Sequence, residues 1–175
     1  SDRYAELSRA LPGAEIFYAM KANPALEILS LLHALGSQFD TASIHEIEAC
    51  LDLGIGPDRI AFGNTVKKSC DIARAHEYGI RLFAFDSRAE MAKLATAAPG
   101  AYVYCRVFMD GAGSDWPLSR KFGCEPDQAV EMLRDAGDAG LVPAGVSFHV
   151  GSQQRNPRQW DAAIKRCAVI FEQMS

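Results

Sequence analysis

No apolar run in this sequence approaches the ~18 residues that a membrane-spanning helix needs, and no signal-peptide pattern opens the chain. Both absences speak against membrane insertion and secretion. Positive charge is not in excess either. Lys and Arg number 18 against 22 Asp and Glu, for a formal charge of -4, which excludes a strongly basic nucleic-acid surface and is weakly congenial to a cationic substrate. Cysteines are few, odd in number and scattered, at Cys50, Cys70, Cys105, Cys124 and Cys167. With no C-x-x-C spacing among them, neither a zinc site nor a redox pair is predicted, and free thiols in a reducing cytoplasm are expected. No Gly-x-Gly-x-x-Gly follows the first strand-like run, which counts against a doubly wound dinucleotide fold.

What is present is an ordinary globular composition, 49% hydrophobic and 23% charged over 175 residues, enough for one domain around one core. The first residue is Ser1 and not Met, within a helical pattern over 3–7, so the chain is read as starting inside a longer one. Short β-rich runs recur at 16–20, 38–40, 59–62, 81–85, 102–106 and 145–149, the first five starting 21 or 22 residues apart. Helical patterns separate them at 24–35, 44–53, 70–78 and 88–98, with Gly36, Gly54, Gly79 and Gly100 placed to cap their ends. Strands alternating with helices of this length predict βαβ units and a parallel sheet buried on both faces. The even spacing favours a (β/α)8 TIM-type barrel, incomplete here because about six of eight strands are present. Two exposed edges would follow.

The interval after the fifth strand doubles and holds a Gly/Ser/Asp-rich stretch over 108–117, expected to be a mobile loop above the site, followed by a helix from Pro126 to about Ala136. Each predicted strand ends in a polar or ionisable side chain: Lys21, Asp40, Asn64, Asp86, Arg106 and His149. In a parallel barrel these ends converge on the face that carries the chemistry. Lys21 follows the apolar 15–20 run and precedes Asn23-Pro24, a pair suited to cap and start a helix. An amine leaving an apolar setting is suited to attack carbonyls. Asp40, Arg106 and His149 facing it could bind an anionic cofactor and move protons, with Gly151 and Ser152 offering close approach and a hydroxyl to a phosphate. Asp86 and Asn64 could equally prepare the helices that follow. Glu46 lies in the capping pattern Ser43-Ile44-His45-Glu46, repeated at Ser87 to Glu90, and capping alone accounts for it.

Four ordered blocks, over 17–23, 39–46, 119–123 and 146–152, resemble the pyridoxal-phosphate-dependent fold type III decarboxylases with their alanine-racemase-like barrel, most closely bacterial ornithine decarboxylases. The resemblance runs the length of the chain. It implies that Lys21 holds pyridoxal 5'-phosphate as a Schiff base, that His149 stacks on the pyridine ring and that Ser152 contacts the phosphate. Asp40 and Arg106 match polar residues lining the cofactor, Glu46 a site glutamate that also supports His149, and Lys121 a lysine after the loop that reaches toward a second subunit. Residues 1–175 would then be an N-terminal pyridoxal-phosphate-binding barrel domain truncated at both ends, without the C-terminal β domain and the strands that complete the site. By itself this chain is expected to be inactive. The parent protein is expected to be a cytoplasmic homodimer with shared active sites that decarboxylates ornithine or lysine to a diamine in polyamine biosynthesis, without nucleic-acid or membrane partners. Diaminopimelate or arginine decarboxylation, a non-catalytic antizyme-inhibitor-like role, and a racemase or cofactor carrier are the competing readings.

Overall fold

The computed structural model describes residues 2–116 and 121–174. Six strands form one parallel sheet: β1 (Phe17–Ala19), β2 (Gln38–Thr41), β3 (Ile60–Phe62), β4 (Leu82–Phe85), β5 (Tyr102–Val107) and β7 (Val142–Phe148). Their spatial order follows the chain, β1-β2-β3-β4-β5-β7, and every neighbouring pair is parallel. This is the strand order of a TIM-type barrel, with β1 and β7 as the outer strands among the described residues. Helices α1 (Asp2–Ala10), α2 (Leu26–Ala34), α3 (Ile44–Asp52), α4 (Ser69–Glu77), α5 (Arg88–Ala97), α6 (Pro126–Asp138) and α7 (Arg158–Met174) complete the element set. Gly36, Gly54, Gly79 and Gly100 all take positive φ at the predicted helix ends.

The core fills the space between sheet and helices. Phe39, Phe62, Phe83 and Phe85 from the strands pack with Leu29, Ile47, Ile72 and Leu94 from the helices, all 1% exposed or less. Each such side chain contributes roughly 1.5–3 kcal/mol by leaving water. Burial on both sheet faces holds for β3, where all three residues are buried, and nearly for β4. On β5 the pattern alternates instead. Val103, Cys105 and Val107 face the helices and are buried, whereas Tyr104 and Arg106 open into a cavity on the other face.

Three local expectations are corrected. Asn23-Pro24 does not begin α2. The Asn23 side chain accepts from the amide of Ala25 at 3.0 Å, a local turn that competes with helix entry, and the helix starts only at Leu26. Lys21 therefore sits in a 3-10 turn, Met20–Ala22, and is exposed, whereas the preceding apolar run implied a desolvated setting. The Gly/Ser/Asp-rich segment is also not wholly irregular. Its residues Ser114–Trp116 form β6, which pairs antiparallel with β8 (Ser152–Gln154) through Ser114↔Gln154 and Trp116↔Ser152. Ser119 and Arg120, part of one resembling block, lie outside the described residues.

Gln153 in β8 has φ 54, the one non-glycine residue in the left-handed region among the described residues. That conformation crowds Cβ against the backbone and favours glycine. Gln153→Gly is expected to stabilise the fold by about 0.5–1 kcal/mol, less the entropy glycine gains when unfolded, read as a higher urea midpoint.

Candidate active site

Four of the residues singled out by sequence meet in one cavity of about 340 Å³ at the C-terminal ends of the strands: Lys21 after β1, Asp40 on β2, Arg106 on β5 and His149 after β7. A parallel sheet with every strand running the same way delivers one side chain from each strand end to the same face. Glu46 joins Lys21, Asp40, Asn64, Arg106 and Phe122 around an adjoining cavity of about 150 Å³. His149 and Ser152 share a third, of about 380 Å³, with Trp160. Asp86 instead accepts from the amide of Gly123 at 2.9 Å and so fastens the end of the β5–α6 connection. Lys121 is exposed, its ammonium 5.3 Å from the centre of the Phe122 ring, and lines none of the three cavities. Arg106 meets the same ring at 5.0 Å.

Asp40 is the electrostatic centre. Burial pushes its carboxyl up to about 6, Lys21 and Arg106 pull it down, and Glu46 pushes it up. Gly63 presses on it so closely that a Cβ there would lie 1.8 Å from Asp40 Oδ1. His149 is held below the usual histidine range by burial, then by Arg106 and Lys21. Its Nδ1 accepts from the amide of Gly151 at 2.9 Å, which leaves the proton of the neutral ring on Nε2. The Gly151 amide is thus spent on His149 and is not free for a phosphate. Its bare α-carbon instead admits Ser114, whose Oγ would be 2.2 Å from an added Cβ.

Ser43 caps α3 through the amide of Glu46 at 3.3 Å, as the spacing predicts. The Glu46 carboxylate does not return to Ser43, however. It accepts from the amide of Ala42 at 2.6 Å, and the cavity it lines does not include His149. Among the described residues, the hydrogen bond to Ala42 is the contact shown for the Glu46 carboxylate, and no hydrogen bond or ion pair to His149 accompanies it.

The sequence profile described as "Pyridoxal-dependent decarboxylase, pyridoxal binding domain" matches residues 1–175. The chain belongs to the pyridoxal-dependent decarboxylases. Lysine/ornithine decarboxylase of Selenomonas ruminantium is 40% identical over 172 residues, 98% of this chain and 44% of that protein. The crystal structure of Paramecium bursaria Chlorella virus arginine decarboxylase bound to agmatine superposes with a TM-score of 0.95 at 31% identity, covering 99% of this chain and 48% of that one. Antizyme inhibitor 2 of Xenopus laevis is 34% identical over 167 residues, 95% of this chain and 37% of that protein. This decarboxylase domain thus spans less than half the length of these relatives. None of its helices, among the described residues, is long and apolar enough to cross a membrane, and no His/Cys/Asp/Glu group there could hold a metal.

The residues of this pyridoxal-binding domain fit a phosphorylated aldehyde. Lys21 brings an exposed amine to the cavity, Arg106 a cation for negative charge, His149 a flat neutral ring, and Ser152 a hydroxyl beside that ring. Two further polar lining residues escaped the sequence reading, Tyr104 and Ser147. Period-two alternation along β5 and β7 was the available signal, since each lies two residues before a recognised one, Arg106 or His149. Burial and Asp40 push the Tyr104 phenol up, so it stays protonated and acts only as a neutral hydroxyl.

A pH dependence follows from Asp40. Its folded value of about 6 exceeds the ordinary 3.8, so the folded chain keeps a proton that the unfolded chain releases between those values. Its contribution to stability is therefore fully present below about pH 4 and lost as pH rises toward 6, by up to about 2–3 kcal/mol. Asp40→Asn is expected to unfold at higher urea than the wild type at pH 7 and to converge with it near pH 4.

Proposed function

We propose that the protein carrying this domain removes the α-carboxylate of a basic amino acid, ornithine or lysine, to give a diamine. The observation that carries the reading is the joint presence of Lys21, Asp40, Arg106 and His149 in one cavity of a pyridoxal-binding domain. The bound pyridoxal group supplies the electron sink that accepts the bonding pair left when carbon dioxide departs.

The chain's own residues do the positioning. The Lys21 amine is the nucleophile that meets an aldehyde carbon, and it stands at the open rim where an incoming amino group can replace it. Arg106 remains charged although burial draws it down, and offers a bidentate fork to an anionic group. His149, neutral with its proton on Nε2, presents a ring face and a donor without adding positive charge beside Arg106. Asp40 exchanges a proton close to neutrality, shares the cavity with the Lys21 amine and the Arg106 guanidinium and feels the charge of both, so it can balance either. Ser152 is the phosphate contact and Glu46 a site carboxylate that also holds the start of α3.

We further infer that the active species is a homodimer in the cytoplasm with sites shared between subunits and Lys121 turned toward the partner, this chain alone being inactive. The Xenopus laevis relative keeps a second reading open, a binding protein without turnover. One experiment separates them. The full-length protein is mixed with pyridoxal 5'-phosphate and reduced with borohydride, and peptides are mapped by mass. Label on Lys21, with carbon dioxide released from ornithine or lysine ahead of arginine and diaminopimelate, is the expected result. Label on another lysine sinks the assignment, and label without release from any of the four favours the binding protein.

A further inference from the structure

Lys67 and Glu90 are the only charged residues in the buried set among the described residues, with side chains 0% and 3% exposed. Their ion pair spans 2.9 Å, and Glu90 also accepts the Lys67 amide at 3.2 Å. The other Glu90 oxygen pairs with Lys93 at 2.5 Å. The Lys67 ammonium does more than neutralise Glu90. It donates to the carbonyl of Asn64 at 2.8 Å and to that of Ala84 at 2.6 Å, and lies 5.6 Å from the centre of the Phe62 ring.

One of those carbonyls belongs to a residue of the site face and the other to a buried strand next to it. Ala84 is on β4 beside Phe85, and Asn64 opens the connection after β3, lining the cavity with Lys21, Asp40, Glu46 and Arg106. Gly63, one residue earlier, donates its amide to Thr41 at 2.8 Å and presses its bare face on Asp40. Asn64 donates to the carbonyl of Ala42 at 3.3 Å. The five-residue stretch 63–67 is therefore tied to β2 at its start and to β4 and α5 at its end. In its middle it buries the Thr65 hydroxyl with no partner among the described residues, a free-energy cost that other contacts must offset.

A buried ion pair is weak evidence for stability, because an apolar pair of the same volume is often as stable. What an apolar side chain cannot do is grip two carbonyls on adjacent strand ends at fixed spacing. We propose that Lys67 is a positioning residue: by holding the Asn64 and Ala84 carbonyls it keeps Gly63 closed over Asp40 and water off the side of that carboxyl group which Gly63 covers. The groups that face Asp40 are Lys21, Glu46, Tyr104 and Arg106, and none of them changes when Lys67 is replaced. The inference rests on the functional reading only in taking Asp40 as a site residue.

The test needs neither cofactor nor turnover. The Asp40 carboxyl is titrated by carbon-13 NMR in the full-length protein, its signal assigned by its loss in Asp40→Asn. In Lys67→Met/Glu90→Gln, which removes both charges at similar volume, the melting temperature stays near the wild-type value. The Asp40 midpoint falls, with at least tenfold weaker proton affinity, because water now reaches the carboxylate. A midpoint that stays or rises overturns the proposal, whatever happens to the melting temperature. Should that variant not fold, Lys67→Arg keeps the cation while its broader head displaces the two carbonyls, and the same fall is expected; an unchanged midpoint there is equally decisive. If the midpoint falls while no cofactor is trapped on Lys21, the functional reading fails and the positioning role stands.

Discussion

Lys21→Ala in the full-length protein abolishes the borohydride-trapped label and lowers carbon dioxide release on the order of 10³-fold or more, the scale lost with a nucleophile. The expectation is this large because, among the described residues, Lys21 is the only lysine lining any of the three cavities. Lys67 is buried with its three protons committed to Asn64, Ala84 and Glu90, and Lys121 lines none of the cavities. Lys21→Arg should not restore activity, since a guanidinium keeps the charge but is not a nucleophile at neutral pH. A small primary amine added to Lys21→Ala, by contrast, should recover part of the rate, since the position is exposed and open to solutes. Full activity in Lys21→Ala would remove this residue from the chemistry.

Gly63→Ala is the second large effect. The added methyl would fall 1.8 Å from Asp40 Oδ1 and 2.8 Å from its Cγ, so the whole carboxyl group has to move, while no backbone atom is among its nearest contacts. A displacement of about 1 Å at a reacting centre costs on the order of 10²-fold in rate. We therefore expect kcat/KM to fall by that factor with thermal stability little changed. Asp40→Asn added to Gly63→Ala should then cost little more, because both changes remove the same carboxylate from the same place. Fully additive losses would show that Gly63 acts on something other than Asp40.

The strands and their polar ends were readable because their cause is local. Apolar runs at near-constant spacing, each closed by a polar residue, specify which side chains reach one face, and Lys21, Asp40, Arg106 and His149 do meet. The β6–β8 pair was not readable, since Ser-Asp-Trp and Ser-Gln-Gln carry no apolar alternation and pair only through a distant partner. Helix α7 carried a usable signal that went unread: Ala163, Cys167 and Ile170 repeat at helical spacing and are buried. The two Ser-x-x-Glu patterns are the sharper lesson. Ser43 and Ser87 both cap as their spacing predicts, yet Glu46 turns to Ala42 while Glu90 turns inward to Lys67. Identical local codes diverged because Glu46 keeps a neighbouring partner in Ala42, whereas the fold brings Glu90 a partner from before β4 in Lys67. Lys67, next to Lys68, looks like one of two solvated lysines until the fold buries it.

The pairing of Trp116 with Ser152 ties the arm after β5 to the segment expected to hold a phosphate. The two events are then linked as accounts drawn on one free energy. A ligand that fixes Ser152 in β8 strengthens the hold on Trp116, and anything that fastens Trp116, which is 72% exposed and open to a neighbour, tightens the ligand by the same factor. Occupancy of the cavity and order of the arm would rise and fall together, with no contact needed between the ligand and the arm itself.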